Sequence, residues 1–322
     1  MALWPLASLL LLTATTACTL IDLSQLGNGS GAGNSGGDDA SGASNPSGGG
    51  GPNDGGNGAG GSSGVESGGN GGSPPLPTYD ECLLAEQPSI YFRLGSPESA
   101  ITEPNLGSLR GDATFNGGHT PGPSLIDSTD QSTVFVGMSG AGSLLYTGGV
   151  GLFGGYAPVS VELWLEAPAP LSTVTLLRNL GMSERIELRI IERPVADGMD
   201  AIELRFLTAT FEERGVLVYL DLQEPPQQLI HVVGVYRQTE DTAFAGDGNS
   251  DDMAIYLNGV LASDATTGDP VPLPALVGNL EIGAGFEGSL DELAVYSREL
   301  TADDVARHYA FGLDVSTNCG AE

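Results

Sequence analysis

An antiparallel β-sandwich is the fold class this chain predicts, and three observations predict it. Apolar and polar residues alternate with period two from Tyr79 onward; Gly, Pro, Asp and Asn break that pattern into about a dozen short segments; and the patterned span is some 240 residues long. Strict alternation means strands with one buried and one wet face. Short strands between turn-formers point to a sandwich, and all-β domains commonly run to this length as one unit. The clearest case is Val159, Val161, Leu163 and Leu165 alternating with Ser160, Glu162, Trp164 and Glu166. Further strands are expected over 89–94, 132–137, 142–147, 173–178, 215–221, 229–237, 252–257, 279–283 and 289–296.

One hairpin can be predicted down to its register. Ile-Glu-Leu-Arg occurs at 186–189 and again at 202–205, with Pro194 and Asp197-Gly198 between as turn-formers. Setting Glu187 opposite Arg205 puts Arg189 opposite Glu203, and Ile190, Leu188 and Ile186 then face Ile202, Leu204 and Phe206. Charge pairing and apolar pairing select one register, as a specified hairpin requires. One short C-terminal helix is expected after Thr301-Ala302-Asp303-Asp304, a capping box with acids in the first turn, with Gly312 as its stop.

The segment before the sandwich has a different physics. Residues 2–12 form an apolar stretch followed by small residues up to Cys18, the pattern of a secretory signal. The cysteine after small residues resembles the bacterial lipoprotein signal, which implies lipidation of Cys18; Thr19 after it implies outer-membrane residence in the cell envelope. Of the chain's 49 glycines, 21 lie between Gly27 and Gly72, where the one large apolar residue is Val65. Such a segment cannot offset the entropy of ordering and is expected to be a disordered linker with an r.m.s. span of roughly 40 Å. The organisation predicted is a signal and lipoprotein segment over 1–18, a linker over 19–78 and a sandwich over 79–322. Cys82 and Cys319, at the two ends of the sandwich, are then expected to form a disulfide in an oxidising compartment.

Charge narrows the function classes. The net charge is −30, all 11 basic residues are arginines, and the first is Arg93. Without a cluster of basic residues there is no counterion-releasing surface for nucleic acid or for anionic lipid. Residues 1–78 carry five acids and no base, so −25 resides on the sandwich itself. No apolar run reaches the ~20 residues that a spanning helix needs.

Five segments carry a resemblance. Phe286-Glu-Gly-Ser-Leu-Asp-Glu-Leu-Ala-Val-Tyr-Ser-Arg-Glu-Leu, Met253-Ala-Ile-Tyr-Leu-Asn-Gly-Val-Leu, Leu229-Ile-His-Val-Val-Gly-Val-Tyr, Val159-Ser-Val-Glu-Leu-Trp-Leu-Glu and Ile90-Tyr-Phe-Arg-Leu-Gly occur in family order. Together they resemble the laminin-G-like jelly roll of the concanavalin A-like lectin/glucanase superfamily, over roughly 88–311. The resemblance implies a jelly-roll sandwich. It leaves function open, since members bind glycans, proteins or calcium and some cleave polysaccharides.

The candidate site residues follow from that range of activities. Trp164 lies on the strand face opposite Val161 and Leu163, where a sugar ring could stack on it between Glu162 and Glu166; packing under a loop is the competing structural role. Glu162 and Glu166 are about 13 Å apart along the strand, too far for a catalytic pair. Asp291 and Glu292 are adjacent and expected on opposite faces. No E-x-D-x-(x)-E string of the glucanase kind occurs, so a non-catalytic binding module for an extracellular carbohydrate or protein is expected. A glycan hydrolase and a structural envelope module are the alternatives. Asp247, Asn249, Asp251 and Asp252 offer hard oxygen ligands in one loop and are the candidate calcium site, against a merely solvated acidic turn. His231, inside a strand and without a nucleophile pattern, is expected to be structural.

Overall fold

The computed structural model describes residues 77–126, 130–135, 142–148, 157–168, 173–180, 186–192, 200–207, 213–220, 227–237, 253–265 and 279–314. Two antiparallel sheets of eight strands dominate. The first consists of β2 (Thr102–Glu103), β3 (Ala113–Asn116), β6 (Ser143–Tyr146), β8 (Val174–Asn179), β9 (Ile186–Glu192), β10 (Asp200–Leu207), β11 (Glu213–Leu220) and β15 (Leu280–Ile282), in the order β11-β10-β9-β8-β15-β6-β3-β2. The second runs β14 (Val260–Ala265), β13 (Met253–Leu257), β12 (Gln227–Tyr236), β7 (Val159–Pro168), β16 (Gly288–Tyr296), β5 (Gln131–Phe135), β4 (His119–Pro123), with β1 (Ile90–Phe92) also on β16. The sandwich predicted from alternation is therefore present.

Its strands obey the local rules that identified them. β9 and β10 pair with Glu187 opposite Arg205, Arg189 opposite Glu203 and Leu188 opposite Leu204, the register derived from the repeated tetrapeptide. Arg189 Nε donates to Glu203 at 2.6 Å, while Ile186, Leu188, Ile190, Ile202 and Leu204 sit in the core between the sheets. Asn258 (φ +50°) and Gly259 (φ +80°) make the two-residue turn joining β13 to β14, the left-handed pair such hairpins favour. β4, with Pro121 and Pro123, takes the sheet edge, where a missing N–H costs no ladder bond.

Two helices form a third layer, and here the expectation needs correction. Tyr79–Ala85 is not the start of the strand pattern but helix α1, opened by Thr78, whose N–H donates to Glu81 at 3.0 Å. Helix α2, Ala302–Leu313, begins at the Thr301 box as expected. It runs through Gly312, which lies against Trp164: a Cβ there would stand 2.4 Å from the indole. Gly312 permits close packing rather than ending the helix. A second apolar core, including Tyr79, Leu83, Tyr91, Trp164, Val233, Val235, Tyr296, Val305 and Phe311, joins both helices to the face of the second sheet that points away from the first.

Candidate functional site

The helix-covered face of the second sheet carries the residues the sequence singled out. Alternation along β7 does place Glu162 and Trp164 together, opposite in sense to Val161 and Leu163, which enter the inter-sheet core. Pairing then sets His231 of β12 and Asp291 of β16 on either side of Trp164. All four are fully buried. The accessible stacking platform expected at Trp164 and Glu162 is therefore absent: this face is a second core, not a wet one, because α1 and α2 lie on it. Glu166, half-buried, sits further along β7 between Leu229 and Ser289 and does not join them.

Glu162 is instead the buried centre of a polar network. Its Oε1 accepts from His231 Nε2 at 2.8 Å and from Tyr79 Oη at 3.2 Å; its Oε2 accepts from His308 Nδ1 at 2.9 Å and from Tyr296 Oη at 3.2 Å. His308 Nε2 donates to Glu86 at 3.0 Å, and Glu86 is further held by Arg298 and by Arg307 at 2.6 Å. Because both nitrogens of His308 face carboxylates, both must carry protons, so this ring is an imidazolium. Burial opposes that charge, but Glu162 and Glu86 outweigh it and push the pKa up to about 10. Burial likewise works against the Glu162 carboxylate, yet His308 and His231 hold it well below the usual range. His231 donates through Nε2 only, its Nδ1 has no partner among the described residues, and burial keeps it neutral. The array ties β7 to both helices; Glu162, His231 and His308 at its centre are buried, while Glu86, Arg298 and Arg307 reach the surface at its outer end. His231 is buried and hydrogen-bonded to Glu162, the surroundings expected of a structural histidine.

The neighbouring acids depart from expectation. Asp291 and Glu292 do not point to opposite faces. The pairing of β16 with β7 shifts between Asp291 and Ala294, and Glu292 adopts φ +52°, so a bulge turns both carboxyls to the helix side. The bulge falls where the partner of β16 changes from β5 to β1. Asp291 accepts from the Leu125 N–H at 2.9 Å, and Glu292 accepts from the Tyr91 hydroxyl. Burial raises both pKa values well above the ordinary carboxylate range, with added repulsion from Asp130 on Asp291 and from Asp291 on Glu292.

An open pocket of about 260 Å³ lies beyond the end of β1, lined by Arg93, Ser96, Glu103, Pro104, Leu106 and Asp130 among others. Arg93 pairs with Asp130 at 2.6 Å and Asp80 at 3.4 Å. Glu103, 2 % exposed, accepts from the Leu94 N–H at 3.1 Å through Oε1, and burial raises its pKa. Sequence reasoning missed this pocket because β2 has two residues, too few for periodicity to register. Its one legible sign was the Arg-Leu-Gly at 93–95.

Of the remaining candidates, Asp247, Asn249, Asp251, Asp252, Cys319 and Cys18 lie outside the described residues. Cys82 is buried in α1 against the second core. Among the described residues no group of three or more His, Cys, Asp or Glu is arranged to hold a metal ion.

Two stacked antiparallel sheets, with the closing strand and a short helix at the C-terminal end, define the class as a lectin-like jelly roll. The concanavalin A-like lectin/glucanases superfamily model matches residues 139–306, over half of the chain, and the chain belongs to that superfamily. Among solved structures it is similar to the botulinum neurotoxin serotype G binding domain, with 10% identity and a TM-score of 0.51 over 70% of this chain and 51% of that one. Weaker likenesses are the serotype D binding domain, at 14% identity and TM-score 0.49 over 71% of this chain and 52% of that one, and domain 4 of a Geobacillus stearothermophilus GH43 extracellular arabinanase, at 15% and 0.46 over 69% and 98%. The chain spans about half the length of the neurotoxin binding domains it matches. No curated protein sequence matches it.

Proposed function

We propose that the chain is a non-catalytic binding module that recognises an extracellular carbohydrate or protein, held at the bacterial cell envelope by a lipid on Cys18 and a flexible arm over 19–78. The observation that carries the reading is the contrast between its two polar clusters. The Glu162 carboxylate is buried and has all four of its donors from the protein, whereas the Arg93–Glu103 pocket is open to solvent and is lined by residues whose Glu103 Oε2 and Arg93 Nε have no partner among the described residues. In a superfamily that includes lectins, such a pocket suits recognition. A Cys82–Cys319 disulfide belongs to the same proposal, since an exported protein meets an oxidising environment. Calcium bound by Asp247, Asn249, Asp251 and Asp252 would assist at the rim.

A glycan array probed with the purified chain, with and without calcium, tests this. Selective retention of a glycan class is expected, and calcium should raise the melting temperature if the acidic loop holds it. Hydrolysis of a polysaccharide, abolished by a single carboxylate substitution, would replace the binding reading with the glycanase one.

A further inference from the structure

We infer that the pocket beside β1 is a subsite for a single neutral sugar residue, held between the Glu103 carboxyl, the Arg93 guanidinium and an apolar lip at Leu106. This deepens the carbohydrate-recognition reading and rests on it.

The pocket is built with care around one backbone reversal. Leu94 sits at φ +60°, a conformation rare for a side chain of its size, while that side chain is fully buried in the core. Thr133 Oγ1 donates to its carbonyl at 2.6 Å and its own N–H donates to Glu103. Next to it, Gly95 passes so close to β5 that a Cβ would stand 2.9 Å from the Gln131 carbonyl oxygen. The loop that carries Arg93 and Ser96 is thus fixed from both sides. The Leu94 contact also orients Glu103, fastening Oε1; Ser96 lies close enough to lower the same carboxyl's pKa, and Oε2 is buried with no hydrogen-bond partner among the described residues. Arg93 Nε is in the same condition, although its terminal nitrogens are ion-paired.

An orphaned acceptor and an orphaned donor on one small pocket call for a ligand that both donates and accepts. Buried groups left without partners are a cost that such a ligand removes. A hydroxyl does both, and neighbouring hydroxyls on one ring could meet Glu103 and Arg93 together. Charge and hydrogen-bonding capacity disfavour the other small polar classes. An acidic ligand would meet Glu103 and Asp130 on a domain already at −25, and an ammonium has no lone pair for the Arg93 Nε–H. Size sets the limit: about 260 Å³ lies just under the ~300 Å³ at which drug-sized pockets begin, room for one ring and not a chain. Pro104 and Leu106, the latter 41% exposed, give the C–H face of that ring an apolar surface. Among the described residues no aromatic ring lines the pocket, so affinity for a free monosaccharide should be in the millimolar range.

The test titrates the full chain with free D-galactose, D-mannose, L-fucose, L-arabinose and D-xylose, and with N-acetylneuraminate, D-galacturonate and D-glucosamine, by NMR. At least one neutral sugar should bind, with every charged sugar at least about tenfold weaker. Glu103→Gln keeps an oxygen for the Leu94 N–H and removes the free acceptor; Leu106→Trp fills the lip from an exposed position. Leu106→Trp should fold with unchanged melting temperature and Glu103→Gln with one no lower than the wild type's, since it removes a carboxyl that burial disfavours; both should lower the affinity about tenfold or more, a difference of ~1.4 kcal/mol. Neutral-sugar binding unchanged in both variants would place the site elsewhere and overturn the inference while leaving glycan recognition intact. Glycans retained on the array without any monosaccharide binding, or a charged sugar preferred, would overturn it in the same way. Silence in both the array and the titration would instead overturn carbohydrate recognition itself.

Discussion

His308 should make the stability of this fold decline across mildly alkaline pH. The ring is 4% exposed and lies between Glu162 and Glu86, with Tyr296 packed beside it and the neutral His231 on the far side of Glu162. Its folded pKa is raised to about 10 from an ordinary value near 6.5. A group raised in the folded state contributes stability that is fully present below the unfolded pKa and is lost as pH climbs through the folded one. The window is therefore about 6.5 to 10, with a limiting slope of ~1.4 kcal/mol per pH unit. Over the whole window the loss is on the order of 5 kcal/mol, which agrees with the ~3–5 kcal/mol typical of breaking a buried ion pair. For a domain of this size that corresponds to roughly 10–20 °C in melting temperature. Tyr79, Tyr91 and Tyr296 are all pushed above the usual tyrosine value, so their unfolded forms ionise only near the top of the window. Thermal unfolding from pH 6.5 to 9.5, beside His308→Gln, is the assay. The wild type should fall steeply, and the variant should start lower and fall less, keeping only the decline that the raised Asp291 and Glu292 carboxyls contribute. Parallel profiles, or a His308 ring resonance titrating near pH 6.5, would refute the reasoning.

Three further outcomes follow from the packing and charge of the same elements. Gly312→Ala should destabilise by ~1–3 kcal/mol in chemical denaturation, because the new Cβ meets Trp164 at 2.4 Å, even though alanine is intrinsically the better helix former by about 1 kcal/mol; a raised midpoint would show that α2 does not lie as close as described. Arg189→Glu and Glu203→Arg should each cost under ~1 kcal/mol and the double exchange should recover most of it, with a double-mutant cycle giving a coupling of a few tenths. Glu292→Gln should leave stability unchanged at pH 4 and raise it by ~1 kcal/mol or more at pH 8, since a carboxyl raised by burial destabilises the fold once it ionises; a loss at pH 8 would mean that its charge is compensated.

Much of the sandwich was legible because its information is local. Register in the β9–β10 hairpin is written twice, once in charge and once in apolar alternation, and the two copies agree. The capping box at Thr301 likewise needs four residues and no tertiary context. Helix α1 carried a comparable signal in Thr78 and Glu81, but its seven residues are apolar enough to pass for a strand edge. β2, β3 and β4 were not anticipated, being short, interrupted by Gly and Pro, and held in place by their neighbours.

The site was less legible, and the reason lies in one assumption. Alternation along β7 was read as inside and outside, so Glu162 and Trp164, opposite the core, became candidates for a ligand. That step holds for a two-layer sandwich whose outer face is wet. Here the outer face supports helices, and the same residues become a second interior. The sequence contains the correction: an acid at 162, a histidine at 231 and another at 308 cannot be explained by solvation alone once α2 returns over β7 and β12. Buried polar groups demand partners, and Glu162 has four. Asp291 and Glu292 show the complementary failure, since period two assigns adjacent residues to opposite faces and a bulge at φ +52° defeats that rule in a single step. The proposed recognition is therefore to be sought where partnerless polar groups border an open pocket, at Glu103 and Arg93, rather than where polar residues are most concentrated.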